Sequence, residues 1–134
     1  MKNTRQLGIW MDHSIASLIE FTVKPFEVQT ILYEFPLEKK NTSLTKKYEV
    51  KTRSNKAALN KFYNKIGRAI VKYDKVVLFG PFDAKIEFFD FLSEDERFLK
   101  LKIEIKDADN MDVNQQHHFI KEYFTQELYS GICY

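Results

Sequence analysis

Four aspartates, Asp12, Asp83, Asp107 and Asp109, are the first residues whose chemistry suggests an activity. A two-metal nuclease gathers carboxylates from a first strand, a helix and a later strand to hold Mg²⁺. Asp12 follows the first apolar run and Asp107 the last, but residues 55–72 contain no Asp or Glu. The helix-borne ligand is therefore missing, and Asp12 and Asp109 equally suit turns. His117 and His118 are adjacent and cannot share one helix face, and His13 stands alone, so no zinc spacing exists. Ser14 beside His13 is not a catalytic pair, because no nucleophile-elbow motif accompanies it. Cys133 is the single cysteine and has no activating base near it in sequence. No catalytic residue and no metal ligand is assigned, and no cofactor is expected.

Two features point to anions instead. Gly80-Pro81-Phe82-Asp83-Ala84-Lys85 reads as a strand-to-helix turn. Its free amides at a helix N-terminus suit an anion, with Gly80 and Lys85 as candidate contacts. The alternative is a plain turn with Lys85 in solvent, since the glycine-rich cradle of a nucleotide loop is absent. The second feature is a lysine-rich segment. Residues 36–72 hold eleven basic and two acidic side chains, net +9, whereas residues 80–134 hold six basic and twelve acidic, net −6. Residues 1–35 are net −1 and 73–79 neutral, which returns the overall +2. A basic segment on a near-neutral chain attracts polyanions, and Lys46, Lys47, Lys51, Arg53 and Lys56 are the candidate RNA contacts. Lysines rather than arginines imply attraction without base reading. The competing reading has the two charged segments neutralising each other, within the fold or across a dimer.

The elements that must carry these residues follow from hydrophobic period. Residues 7–22 read as a β-hairpin turning at Asp12-His13-Ser14, and 26–35 as a third strand ended by Pro36. Residues 36–54 read as a polar connection in which Tyr48-Glu49-Val50 could add an edge strand. From Asn55 the period becomes helical: Leu59, Phe62, Tyr63, Ile66, Ile70 and Tyr73 share a face of a helix over 55–72. Residues 75–79 form a continuous apolar strand of the parallel kind. Pro81 is placed at the first position of a helix over 81–92, with Phe82, Ile86, Phe89 and Leu92 on its inner face. A strand over 100–106 precedes a helix over 112–129, opened by an Asp112–Gln115 capping box. Val113, His117, Ile120, Phe124 and Leu128 form that helix's inner stripe. The order β-β-β-α-β-α-β-α with right-handed crossovers gives an α/β fold, a five-stranded mixed sheet of ribonuclease H-like type.

One domain is expected over 1–134: at 16.0 kDa the chain supports a single core. With 44% hydrophobic and 30% charged residues it is neither disordered nor a membrane composition. No run approaches the ~20 apolar residues of a spanning helix. Asp12 and His13 break the first apolar run too early for a signal peptide. A single cysteine fits a reducing, cytoplasmic location.

Three blocks together resemble a known family. Gly8-Ile9-Trp10-Met11-Asp12-His13-Ser14-Ile15-Ala16, then Val76-Val77-Leu78-Phe79-Gly80-Pro81-Phe82-Asp83-Ala84-Lys85, then Lys106-Asp107-Ala108-Asp109-Asn110-Met111-Asp112-Val113-Asn114-Gln115 occur in order. The pattern is similar to small bacterial proteins related to the middle domain of eukaryotic and archaeal class 1 peptide release factors and of Pelota. In the release factors, the connection between the third strand and first helix carries Gly-Gly-Gln, which promotes peptidyl-tRNA hydrolysis. Residues 36–56 here contain neither glycine nor glutamine, so the backbone freedom and the water-positioning side chain are both missing. The resemblance therefore implies a noncatalytic, translation-associated domain with ribosomal RNA, tRNA or the ribosome as partner. The alternative is a protein-interaction or homo-oligomeric module without nucleic-acid binding, using an aromatic patch or a sheet edge. A degenerate metal-dependent nuclease is the third.

Overall fold

A computed structural model describes the backbone of residues 5–21, 26–34 and 44–132, and the side chains of 5–21, 28–34 and 56–126. Five strands form one mixed sheet: β1 (Gln6–Met11), β2 (Ile15–Glu20), β3 (Phe26–Leu32), β4 (Lys75–Gly80) and β5 (Lys102–Asp107). Their spatial order is β3-β2-β1-β4-β5. The first three pair antiparallel, and β1, β4 and β5 run parallel, with Ile9 opposite Leu78 and Leu78 opposite Ile105. Helices α1 (Leu44–Ile70), α2 (Ala84–Ser93) and α3 (Val113–Ile132), with a 3₁₀ turn at Glu96–Phe98, complete the described chain.

Strand alternation sorts the core into two layers. Leu7, Ile9 and Met11 from β1, Ala16 and Leu18 from β2, and Val76 and Leu78 from β4 meet Phe62, Ile66 and Ile70 of α1 and Phe88 and Leu92 of α2. The residues between them point the other way: Trp10, Ile19, Val77 and Phe79 meet Ile120 and Phe124 of α3. A central strand sandwiched on both sides must be apolar at every position, which is why β4 reads as an unbroken run. Gly8 belongs to the α3 side, where a Cβ would come within 2.5 Å of the Ile120 side chain. Its missing side chain lets α3 lie close to the sheet.

Several sequence expectations are corrected. The segment 44–54 is not a connection with an edge strand at Tyr48-Glu49-Val50; it is the first part of α1, which runs from Leu44 rather than Asn55. Once residues 56–70 are packed on the sheet, each further turn needs only propagation, and no Gly or Pro intervenes to stop it. Helix α2 starts at Ala84, not Pro81, and its inner face is rotated from the expected one. Ala84, Lys85, Phe88 and Leu92 are buried, while Phe82 and Ile86 are exposed. Phe82 has φ 63°, which ends any helical run through Pro81 and resets the phase. Strand β3 stops at Leu32 and β5 begins at Lys102, each shorter than its apolar run. On α3, Val113 is exposed and Gln116 is buried in its stead, donating to the Met111 carbonyl at 2.9 Å. Tyr63 does pack inward, and the Asp112–Gln115 capping box forms in both directions, at 3.0 and 2.8 Å.

Candidate functional site

Strand β1 lies between an antiparallel neighbour and a parallel one, so the carboxyl ends of β1, β4 and β5 open on one end of the sheet. In open α/β sheets this is the end where loops form ligand crevices. The crevice here has a volume of about 500 Å³ and lies between the Gly80-Pro81-Phe82 turn and residues 107–110.

The turn is built on unusual backbone. Gly80 has φ 143°, and a Cβ there would collide with the carbonyl of Met11, so only glycine lets β4 approach β1 at this point. Phe82 follows in the left-handed region, a costly conformation for a bulky residue, and the residue is 70% exposed. Lys85 holds this arrangement. Its side chain is folded inward, 1% exposed, and its ammonium donates to the Phe82 carbonyl at 2.6 Å and meets the Asp107 carboxylate at 3.2 Å. A buried cation must find partners or lose its charge. The expectation of a solvated Lys85 is therefore corrected: its positive charge faces the crevice wall and ties α2 to the end of β5. Asp107 is 97% exposed, so its carboxylate is the removable partner of the pair.

The other carboxylates do not assemble a metal site. Asp12 turns back on its own hairpin, its carboxylate accepting from the amides of Ser14 at 2.7 Å and Ile15 at 3.0 Å. Asp109 contributes its carbonyl to the Trp10 indole N–H at 3.4 Å. Among the described residues no group of three or more His, Cys, Asp or Glu is placed to hold a metal ion. His118 pairs with Glu122 one turn on, at 3.2 Å, while the Nε2 of His117 is buried without a hydrogen bond. Cys133 lies outside the described residues.

A polar bridge not anticipated from sequence joins three elements near the same end. Tyr63 of α1 donates to Glu87 of α2 at 3.1 Å, and Glu87 approaches His13 of the β1–β2 turn at 3.8 Å. Burial, and then the Glu87 carboxylate, push the Tyr63 phenol well above the usual tyrosine range, so it acts as a permanent donor. Spacing carries no signal for this bridge, because its members are far apart in the chain.

The lysine-rich segment becomes helical. Lys46, Lys47, Lys51, Arg53 and Lys56 all belong to α1; Lys56 is exposed, and the side chains of the other four lie outside the described ones. Farther along, Lys61, Lys65 and Arg68 border a shallow groove of about 460 Å³ with Asn60 and Asn64. Their i, i+4, i+7 spacing was readable in sequence as one face of a helix. Glu34, just beyond β3, meets Lys65 at 3.0 Å and Lys61 at 3.5 Å. The Lys65 ion pair, with Lys61 adding to it, holds the Glu34 carboxyl below the usual glutamate range.

No protein-family model matches this chain, and neither does any curated protein. Among solved structures it is similar to the crystal structure of Pelota from Archaeoglobus fulgidus, with a TM-score of 0.63 and 11% identity, over 98% of this chain. The chain shares its fold with part of Pelota. It spans 35% of that chain, whose structure was described for its inter-domain plasticity. The resemblance carried by the hairpin and the Gly-Pro block thus holds at the level of fold. Among the described residues no helix is long and apolar enough to cross a membrane.

Proposed function

We infer that this is a noncatalytic, translation-associated domain of the release-factor and Pelota middle-domain type, with a ribonuclease H-like sheet, which contacts ribosomal RNA or tRNA in the cytoplasm. The observation that carries the reading is α1. Its 27 residues form a rod of roughly 40 Å, along which basic residues recur from Lys46 to Arg68. A rod of that length follows several phosphates of a nucleic-acid backbone, whereas a loop of lysines would have to be ordered on binding. Lys46, Lys47, Lys51, Arg53 and Lys56 are the assigned contacts. The Pelota-like fold supports the translation setting by analogy, since fold alone does not carry function.

Gly80 and Lys85 are a secondary anion contact in the same reading. Asp107 now occupies the ammonium, so an incoming phosphate must displace it.

Changing the five α1 residues together to alanine tests the proposal. Alanine is the best helix former, so the helix should persist and far-UV circular dichroism should be unchanged. Binding to tRNA and to a ribosomal RNA fragment should weaken, with little dependence on RNA sequence. The slope of log affinity against log salt should flatten by roughly 0.7–0.9 for each phosphate no longer neutralised. An unchanged affinity and slope reject this surface, and no RNA binding by the parent protein at low salt rejects the reading.

A further inference from the structure

The outer side of β5 pairs with no strand among the described residues, and the ladder shows which groups it presents. Lys102 donates its amide to Asp74 and Ala108 donates to Gly80, so the even-numbered residues of β5 point their backbone groups toward β4. The N–H and C=O of Ile103 and Ile105 therefore point outward. On the α2 side of this edge, an apolar groove of about 300 Å³ runs between Phe89, Leu92 and Phe98 and the strand residues Leu101 and Ile103. Leu99 at its lip is 73% exposed. On the α3 side, Lys102, Glu104 and Lys106 alternate with the isoleucines.

We propose that the β5 edges of two copies of this chain pair antiparallel about a two-fold axis through Ile103, forming a homodimer with a continuous ten-stranded sheet.

Charge selects the occupant and narrows the register, and the groove decides between the registers that remain. With Ile103 opposite Ile103 of the second copy, those two residues exchange both backbone hydrogen bonds, and Leu101 and Ile105 form the next bonded pairs. Lys102 then faces Glu104 across the axis twice, in the non-bonded positions where side chains approach most closely. A shift that puts Ile103 opposite Ile105 sets Glu104 against Glu104 and Lys102 against Lys106, so the lysines guard the edge against that mispairing. Centring on Ile105 would also match charges, but it moves the junction away from the groove. Centring on Ile103 lays the second copy's Ile103 and Ile105 along it. Glu104 already faces Lys75 at 3.8 Å, Lys106 at 3.6 Å and the Tyr123 hydroxyl, and a second-copy Lys102 approaches its open flank. Such an interface is isologous and closed, so it ends at two copies.

Sedimentation equilibrium of the full chain across a wide concentration range tests the pairing, with circular dichroism as the check on folding. The parent protein should be a dimer in reversible equilibrium with monomer. Lys102→Glu and Glu104→Lys should each weaken dimerisation roughly tenfold or more, since each turns two attractive pairs into repulsive ones. The double variant should recover most of the loss. Lys102 is exposed and carries the test even if Glu104→Lys disturbs the Tyr123 hydrogen bond. A parent that stays monomeric, a dimer indifferent to both single changes, or a double variant that does not recover overturns the proposal. None of these outcomes depends on RNA binding.

Discussion

At Gly80 the backbone takes φ 143°, and the space a Cβ would fill belongs to the Met11 carbonyl on the neighbouring strand. The residue joins β4 to a turn in which Phe82 is strained and Lys85 is drawn inside to hold it. Gly80→Ala should therefore cost more than the ~1–3 kcal/mol of backbone strain alone, because β1 and β4 must also part. Urea unfolding checks this: the midpoint should fall with an unchanged slope. A midpoint equal to that of the parent would show that the turn relaxes without cost. Lys85→Met, by contrast, keeps the volume but leaves the Phe82 carbonyl without its charged donor, a loss of about 1–3 kcal/mol.

Among the elements, α3 has the clearest start. Asp112 and Gln115 exchange backbone and side-chain hydrogen bonds, and the helix then lays Ile120 and Phe124 on the sheet. Asp112→Ala should destabilise the protein by about 1 kcal/mol, the usual worth of such a cap, read as a lowered melting temperature. Asp112→Asn should recover most of it, because the amide oxygen still accepts from the Gln115 amide. This box was legible in sequence because a cap is local chemistry at fixed spacing. The strands were legible for a related reason, since β1, β2 and β4 are buried and mostly apolar, β2 being interrupted only by Ser17 before its closing Glu20. The start of α1 was not legible. Residues 44–54 contain only Leu44, Tyr48 and Val50 as large apolar side chains, too few to show a helical period. The phase of α2 was hidden for another reason: a phenylalanine at positive φ leaves no mark in the sequence, and a lysine on the buried face contradicts the expected pattern. The candidate basic residues were readable as composition, whereas their alignment on one rod follows from the helix. The Lys85–Asp107 and Tyr63–Glu87–His13 contacts arise from tertiary proximity that no spacing reveals.

At the scale of the whole molecule, a Pelota-like sheet is combined with a stretch, residues 36–56, whose composition differs from that of the release factors' Gly-Gly-Gln connection. More than half of the residues between Pro36 and Lys56 belong to helix α1, which fixes their φ and ψ. Those before Leu44 contain no glycine, so the paired positive-φ freedom of Gly-Gly is chemically absent, and no glutamine is present to orient a water. Positioning of that kind supplies much of the rate in a hydrolytic site, so the proposed role does not include peptide release. The purified protein, added to stalled ribosomes carrying labelled peptidyl-tRNA, should not accelerate peptide release under conditions where a release factor does. It should still compete with other basic proteins for the ribosome at low salt, and that competition should fade as salt rises, because α1 contributes charge rather than shaped contacts. Release that rises with protein concentration and disappears when residues 40–54 are replaced would mean that a side chain of this segment positions water without glutamine. Release that survives the replacement would place the activity at the strand ends, where Lys85 and Asp107 meet.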